Sequence, residues 1–254
     1  MLIAERQRSI ITMVTEGGSA RVTDLAKHFG VTEETIRRDL EKLESEGKLL
    51  RSHGGAVAPV VASGERHYTE RQVANTREKS AIARLAVQLI EEGDTVVLDA
   101  SSTVLHLARL LPDIDVTVLT NSIQVALALA DRPRVRVVGT GGTLSSASLS
   151  FAGPQAEESL EKYYVNKAFL SCTGVDLEFG LSDINERQAL LKVKMMDIAA
   201  RTYLLADHSK FGAKSLRRFS RIEDVDEIIT DSSVDADTLE MIRQAGPTVI
   251  VAEL

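Results

Sequence analysis

Apolar positions in residues 1–58 recur at helical spacing in three short runs, each closed by glycine. Ile3, Ile10, Ile11 and Val14 fit one face of a helix that Gly17-Gly18 end. Thr23 is placed to N-cap a second helix, with Leu25, Ala26 and Phe29 facing inward and Gly30 stopping it. Thr32 is placed to cap a third, whose stripe Ile36, Leu40 and Leu43 stands at i, i+4 and i+7 and closes at Gly47. Gly30-Val31 is a turn of the length a helix-turn-helix needs. Lys48 to His53 is strand-like, Gly54-Gly55 can turn and Ala56-Val57 can return, which predicts a β wing.

The pattern changes twice more. Residues 59–78 are rich in Glu, Arg, His and Gln, hold Pro59 and Gly64 and offer few core candidates, so they read as a linker. Beyond them, short apolar and β-branched runs predict strands at Thr95–Asp99, Val116–Thr120, Arg134–Gly139, Lys167–Cys172, Thr202–Asp207, Glu227–Thr230 and Thr248–Ala252. Helical patterns fall between most of them, at Val104–Leu111, Ile123–Ala130, Ile184–Ala200 and Asp235–Gln244. Strands this apolar are buried on both faces, as in a parallel sheet covered by helices. The expected fold is α/β: a winged helix-turn-helix domain over 1–58, then a larger, mostly parallel α/β domain over 79–254.

Composition narrows the chemistry. A chain of 254 residues, 44% hydrophobic and 26% charged, is that of a globular protein and not a disordered one. No apolar run approaches the roughly 18 residues of a membrane span, and Glu5, Arg6 and Arg8 leave no signal-peptide core, so a cytoplasmic protein without membrane partners is expected. Cys172 is the single cysteine, and His28, His53, His67, His106 and His208 are scattered without ligand spacing, so neither a metal nor another cofactor is expected. The net charge of −7 is uneven: residues 1–60 hold 9 basic and 9 acidic groups, and the remainder carries the whole excess. A neutral N-terminal unit still binds DNA if its basic groups share a face.

The third helix presents such a face. With its stripe turned inward, Thr35, Arg37, Arg38 and Lys42 lie opposite, and a helix in the major groove needs donors of this kind. Arg51 and His53 on the wing suit phosphate or minor-groove contact. Asp39, Glu41, Glu44 and Glu46 are expected on the solvent side. An ordinary solvated face that mediates protein contacts is the bland alternative.

In the second domain, ligands of an open parallel sheet sit at the carboxyl ends of its strands. Asp99, Ser101, Ser102 and Thr103 follow the first strand and open a helix, offering hydroxyls and amides to an anion. Thr120, Asn121 and Ser122 follow the second, Gly141 and Gly142 the third, and Lys210 supplies a cation after a later one. Asn185, Gln188 and Lys192 share a helical face, although a polar face on a surface helix is the default. Together these groups describe a site for a small phosphorylated, polyhydroxylated molecule.

The run from Val22 to Leu40, with Leu43-Glu44, Gly47 and Arg51 to Ala56, resembles the helix-turn-helix and wing of the DeoR family of bacterial sugar-operon regulators. Asp99 to Thr103, Thr120-Asn121-Ser122, Gly141 to Leu144, Cys172 to Asp176, Asn185-Glu186 and Asp207 to Phe211 resemble the same family's sensor motifs, so the likeness spans nearly the whole chain. It implies a repressor that binds a double-stranded operator as a homo-oligomer. A phosphorylated sugar would be its effector, bound in a domain similar to ribose-5-phosphate isomerases. Asp176, Asn185 and Glu186 enter the expected effector site through this likeness. Ser101 stands where the family more typically has glycine, and Cys172-Thr173 replace smaller residues. A sugar-phosphate isomerase with an accessory DNA-binding module is the alternative, with Asp99, Asp176, Glu186 and Lys210 as acid, base and electrostatic groups.

Overall fold

The computed structural model describes residues 3–17, 19–45, 49–52, 54–57 and 68–254. The chain divides into two units, Met1–Gly64 and Glu65–Leu254. The first runs α1 (Ile3–Gly17), β1 (Ser19–Arg21), α2 (Val22–Phe29), α3 (Glu33–Ser45), β2 (Leu50–Ser52) and β3 (Gly55–Val57), with strand order β1-β3-β2. Ile10, Val14, Leu25, Ile36, Leu40 and Leu43 meet in one core, as their spacing predicts. Ile3, placed on the same face, is exposed.

Thr32 caps α3, its hydroxyl accepting from the Thr35 N–H at 3.3 Å. Thr23 does not cap α2: Arg21, at the end of β1, is the N-cap and makes no side-chain cap bond. The strand therefore runs straight into the helix, and the short β1 had no sequence signal of its own. Gly30 ends α2 in the left-handed conformation at φ 64°, returning its N–H to the Ala26 carbonyl. Gly55 lets β3 close on β1, because a Cβ there would stand 2.2 Å from the Ala20 carbonyl oxygen. Asp39, expected on the solvent side, is buried: it accepts from Arg6 Nε at 2.6 Å and Gln7 Nε2 at 2.9 Å, joining α3 to α1.

The second unit opens with α4 (Tyr68–Val73) and α5 (Thr76–Ala86). Neither was expected: α4 falls inside the segment read as linker, 59–78, and α5 begins in it. Tyr68 is instead only 2% exposed in the main core, which corrects that boundary over residues 68–78; residues 59–67 lie outside the described residues. There follow β4 (Thr95–Leu98), α6 (Ser102–Leu110), β5 (Val116–Thr120), α7 (Ile123–Leu129), β6 (Val135–Gly139), β7 (Thr143–Ser145), β8 (Ser150–Ala152) and α8 (Pro154–Leu160). The chain continues through β9 (Val165–Leu170), β10 (Gly174–Asp176), β11 (Gly180–Asp183), α9 (Glu186–Asp197), β12 (Ala199–Leu205) and β13 (Arg217–Ser220). It closes with β14 (Glu227–Asp231), α10 (Ala236–Gln244) and β15 (Thr248–Ala252).

The seven expected strands form one sheet in the order β15-β14-β12-β9-β4-β5-β6, every pair parallel. From β4 the chain winds outward through β5 and β6, then returns to β9 on the other side of β4. The carboxyl ends of β4 and β9 are thus a topological switch point, where an open α/β sheet leaves a crevice. A small antiparallel sheet, β10-β11-β13, stands apart from the main one. Among the described residues no helix is long and apolar enough to cross a membrane, and no cluster of potential metal ligands is present.

Candidate functional site

On α3 the buried stripe leaves Glu33, Glu34, Arg37, Arg38 and Lys42 exposed. The Arg37 guanidinium lies 3.0 Å from Glu33 and Arg38 Nε lies 3.4 Å from Glu34, each pair one turn apart. Exposed pairs of this kind are worth about 0.3–0.5 kcal/mol, so a phosphate or a base edge can displace either carboxylate. The Thr35 hydroxyl is 2.9 Å from that of Thr32. Arg51 stands in β2, paired with Ala56, and His53 lies outside the described residues.

At the switch point, Asp99 fastens the two loops together. Its Oδ1 accepts from the Ser101 N–H and its Oδ2 from the Ser171 N–H, both at 2.9 Å, and its own exposure is 1%. Ser101 then caps α6, its hydroxyl accepting from the Val104 N–H at 3.1 Å, a bond that glycine at this position would lack. The loops enclose a cavity of about 370 Å³, lined by both of them, by α9 and by the α4–α5 elbow. Ser102 and Thr103, at the N-terminus of α6, are 5% and 2% exposed and line this cavity. Among the described residues their hydroxyls have no protein hydrogen-bond partner.

Charged groups gather in two hydrogen-bonded clusters. In one, Lys192 Nζ donates to Asp183 Oδ2 at 2.5 Å and to the Ser171 carbonyl at 2.7 Å, and stands 3.4 Å from Asp99. Burial acts to lower the Lys192 pKa, but Asp183 and Asp99 outweigh it and hold the ammonium above its ordinary value. Burial likewise acts to raise Asp183, and Lys192 more than offsets this, so its carboxyl stays below the usual range.

In the other cluster, Lys79 Nζ donates to the Arg71 and Ala74 carbonyls at 2.6 and 2.5 Å. Asn75, left-handed at φ 51°, donates to Asp207 Oδ1 at 2.8 Å and to Ser209 Oγ at 3.1 Å. Burial acts to raise the Asp207 pKa, but Lys210, Ser209, Asn75 and Lys79 together hold it below the ordinary carboxylate value. Lys210 lines the cavity and makes no ion pair within 4 Å among the described residues. Cys172 lies on the wall, where burial pushes its thiol up to about 12, so it is an inert packed group.

Of the expected effector residues, the fold brings Ser101, Ser102, Thr103, Lys192 and Lys210 onto the wall and Asp99 directly behind it. It does not bring Thr120, Asn121 or Ser122 there. Thr120 donates to the Leu98 carbonyl, Asn121 to Phe151 O and Gln188 Oε1, and Ser122 caps α7. Gly141 and Gly142 turn the chain at φ 65° and 107°, Gly142 packing against Ala152 and Ala156. Asp176 holds its own turn through the Glu178 and Phe179 N–H groups. Asn185 caps α9, and Glu186 is exposed and paired with Arg217. Asp176 and Glu186 therefore cannot supply the acid and base of the isomerase alternative. The sequence reading missed Arg71, Asn75, Lys79 and Asp183, and left Gln188 on a surface face that the structure buries against the cavity.

A winged helix followed by an α/β unit with a polar pocket at its switch point defines a two-part DNA-binding regulator. Residues 6–60 match the DeoR-like helix-turn-helix domain and residues 74–232 the DeoR C terminal sensor domain. The chain belongs to the DeoR family of transcriptional regulators. It is 49% identical over 254 residues to the uncharacterized HTH-type transcriptional regulator YulB of Bacillus subtilis, covering 100% of this chain and 98% of that one. It is 39% identical to the putative aga operon transcriptional repressor of Escherichia coli O157:H7, over 98% of this chain and 93% of that one. With the L-fucose operon activator of Haemophilus influenzae it shares 38%, over 90% and 92% of the two chains. Ribose 5-phosphate isomerase A of Methanocaldococcus jannaschii overlaps 54% of this chain and 55% of its own, at 19% identity and a TM-score of 0.41. These relatives are named as transcriptional regulators, and the chain is a transcriptional regulator of their family.

Proposed function

We propose that the protein represses a carbohydrate-utilisation operon and that a phosphorylated sugar or sugar derivative governs its hold on the operator. The observation that carries this reading is the pair of buried hydroxyls, Ser102 and Thr103, at the start of α6. They face a polar cavity beside an ammonium, Lys210, that makes no ion pair among the described residues. Helix N-terminal amides, hydroxyls and a nearby cation suit a phosphoryl group. The rest of the lining, with Asp183, Gln188, Ser148 and Thr173, suits sugar hydroxyls. Relatives named for an aga operon and an L-fucose operon support the carbohydrate assignment.

On the DNA side, Thr35, Arg37 and Arg38 read the major groove while Lys42, Arg51 and His53 contact the backbone. The chain acts as a symmetric homo-oligomer, because two half-sites multiply a modest grip per copy. The effector acts only insofar as it binds the DNA-competent and incompetent arrangements with different affinity.

The test is a gel-shift titration on the promoters flanking the protein's own gene, with and without a panel of sugar phosphates. Replacing both Arg37 and Arg38 with alanine is expected to abolish specific binding and to preserve the ligand-induced rise in Tm. Ligand at a hundredfold excess over Kd adds about 2.7 kcal/mol of stability, a shift easily measured. Specific binding retained by the double variant overturns the DNA assignment; no Tm shift with any sugar phosphate overturns the effector assignment.

A further inference from the structure

Behind the cavity wall a chain of hydrogen bonds runs in one direction only. It begins at the Phe151 carbonyl, which accepts and never donates, so the group that reaches it at 2.9 Å is the Asn121 amide nitrogen. The second hydrogen of that nitrogen goes to Gln188 Oε1 at 3.2 Å. Gln188 is thereby oriented with its nitrogen toward Ser150, and Nε2 donates to Ser150 Oγ at 2.8 Å. Ser150 is fully buried, and among the described residues the one acceptor its own proton reaches is Ser148 Oγ, at 2.8 Å.

The chain ends at Ser148, which lines the cavity and is 1% exposed. Its oxygen accepts from Ser150, and among the described residues its proton has no acceptor. Buried hydroxyls in native proteins are hydrogen-bonded, so an unmatched one facing a cavity points to a missing partner. The backbone here is also held in an uncommon form. Leu149, between the two serines, is left-handed at φ 49°, a conformation that a bulky side chain rarely adopts. The Ile123 N–H donates to the Leu149 carbonyl at 3.1 Å and the Phe151 N–H to the Asn121 carbonyl at 2.8 Å, which ties this segment to the loop after β5. Strain that the surroundings over-determine in this way gathers at ligand sites.

We propose, on the sugar-phosphate reading above, that Ser148 is a specificity-determining residue that gives its proton to an oxygen of the ligand. Asn121, Gln188 and Ser150 are positioning residues that fix this polarity. A hydroxyl, carbonyl or phosphoryl oxygen satisfies the Ser148 proton, whereas a group that only donates, such as an ammonium, leaves it buried and unpaired. Asn121 thus acts on the ligand from behind the wall.

The experiment is isothermal titration of the full-length protein with a panel of hexose and pentose monophosphates and with inorganic phosphate. Every monodeoxy analogue of the tightest sugar phosphate follows. S148A is expected to bind that sugar phosphate about tenfold more weakly, the loss of one hydrogen bond in a buried site. A loss confined to the sugar phosphate assigns the acceptor to a sugar oxygen, and a monodeoxy analogue whose own deficit vanishes in S148A says which. An equal loss for inorganic phosphate assigns it to a phosphoryl oxygen.

Q188E tests the direction of the chain. A carboxylate at this position still accepts from Asn121 but takes the Ser150 proton instead of giving one. Ser148 then turns its own proton to Ser150 and shows the ligand only lone pairs. Q188E is expected to weaken the sugar phosphate at least as much as S148A, and S148A/Q188E no further than Q188E. Charge repulsion alone would instead make the two losses multiply.

An S148A variant that binds both sugar phosphate and inorganic phosphate within about twofold of wild type overturns the proposal. Losses that multiply in S148A/Q188E overturn the one-way chain. S148C, which keeps the bulk but offers only a weak S–H donor, and S150A, which cuts the same chain, stand in for S148A and Q188E should either fail to fold. A wild type that binds no sugar phosphate and no inorganic phosphate overturns the effector reading and this proposal with it, a result distinct from binding that Ser148 does not influence.

Discussion

Lys79 is an ammonium that folding has removed from water: it is 3% exposed and bonded to two main-chain carbonyls. Burial, only partly offset by Asp207, lowers its pKa from 10.5 to about 8. The sign follows from proton counting. Between these two values the unfolded chain holds a proton that the native protein has released, so this residue's contribution to stability rises with pH across that window. Below about 8 both states are charged and the cost of burial is present in full. The unfolding free energy of the wild type relative to K79M is therefore expected to climb from pH 8 to pH 10 in urea titrations. Phosphate-ligand affinity of the wild type should fall over the same range as the cation is lost, and K79M should show neither trend. Parallel profiles would refute the assignment. The position was legible in principle: Lys79, Ile82, Ala83 and Ala86 stand at i, i+3, i+4 and i+7 on the buried face of α5. A lysine between Glu78 and Ser80 nonetheless reads as solvated, because lysines are rarely buried.

Among elements, α3 is the one whose placement the DNA reading requires, and a buried ion pair joins it to α1 beside the apolar core they share. Arg6 and Asp39 have side chains only 11% and 6% exposed. Removing one partner of such a pair leaves a buried charge uncompensated, which costs about 3–5 kcal/mol. D39A is expected to lose that much by chemical denaturation followed through the N-terminal unit, and a loss under about 1 kcal/mol would show the pair to be solvated. Nothing in the α3 stripe alone betrayed this bond, because Asp39 adjoins Leu40 and its partner lies 33 residues away. The inner main-sheet strands such as β4 and β5 were legible because burial makes them short apolar, β-branched runs; the edge strands β6 and β15 are only partly buried. The three-residue strands β1, β7, β8 and β10 were not legible, since so short a segment carries no period. The segment holding α4 was mistaken for linker because its anchor is a single aromatic, Tyr68, among charged residues.

For the whole molecule, the reading proposed above puts operator grip and ligand capture in different units of the chain, so it expects them to be separable by mutation. Replacing Ser102 with alanine and Lys210 with glutamine is expected to leave ligand-free operator affinity within about twofold of wild type while abolishing ligand-driven release, the behaviour of a constitutive repressor. A ligand moves a two-state equilibrium only by its differential affinity, and a switch from 1:99 to 99:1 needs about 10⁴-fold. Loss of one buried contact is enough to blunt that response. If the double variant still releases DNA on ligand addition, the pocket is not the sensor.

Asp99 spends both its oxygens on holding neighbouring loops together, so the side chains that those loops display are not what keeps them in place. A change of side chain at Ser102 or Thr103 therefore alters the wall while the bonds that Asp99 makes keep the loops in place. On the sugar-phosphate reading, a handful of changes on the cavity wall would then alter which ligand fits, with the frame that holds the loops left untouched.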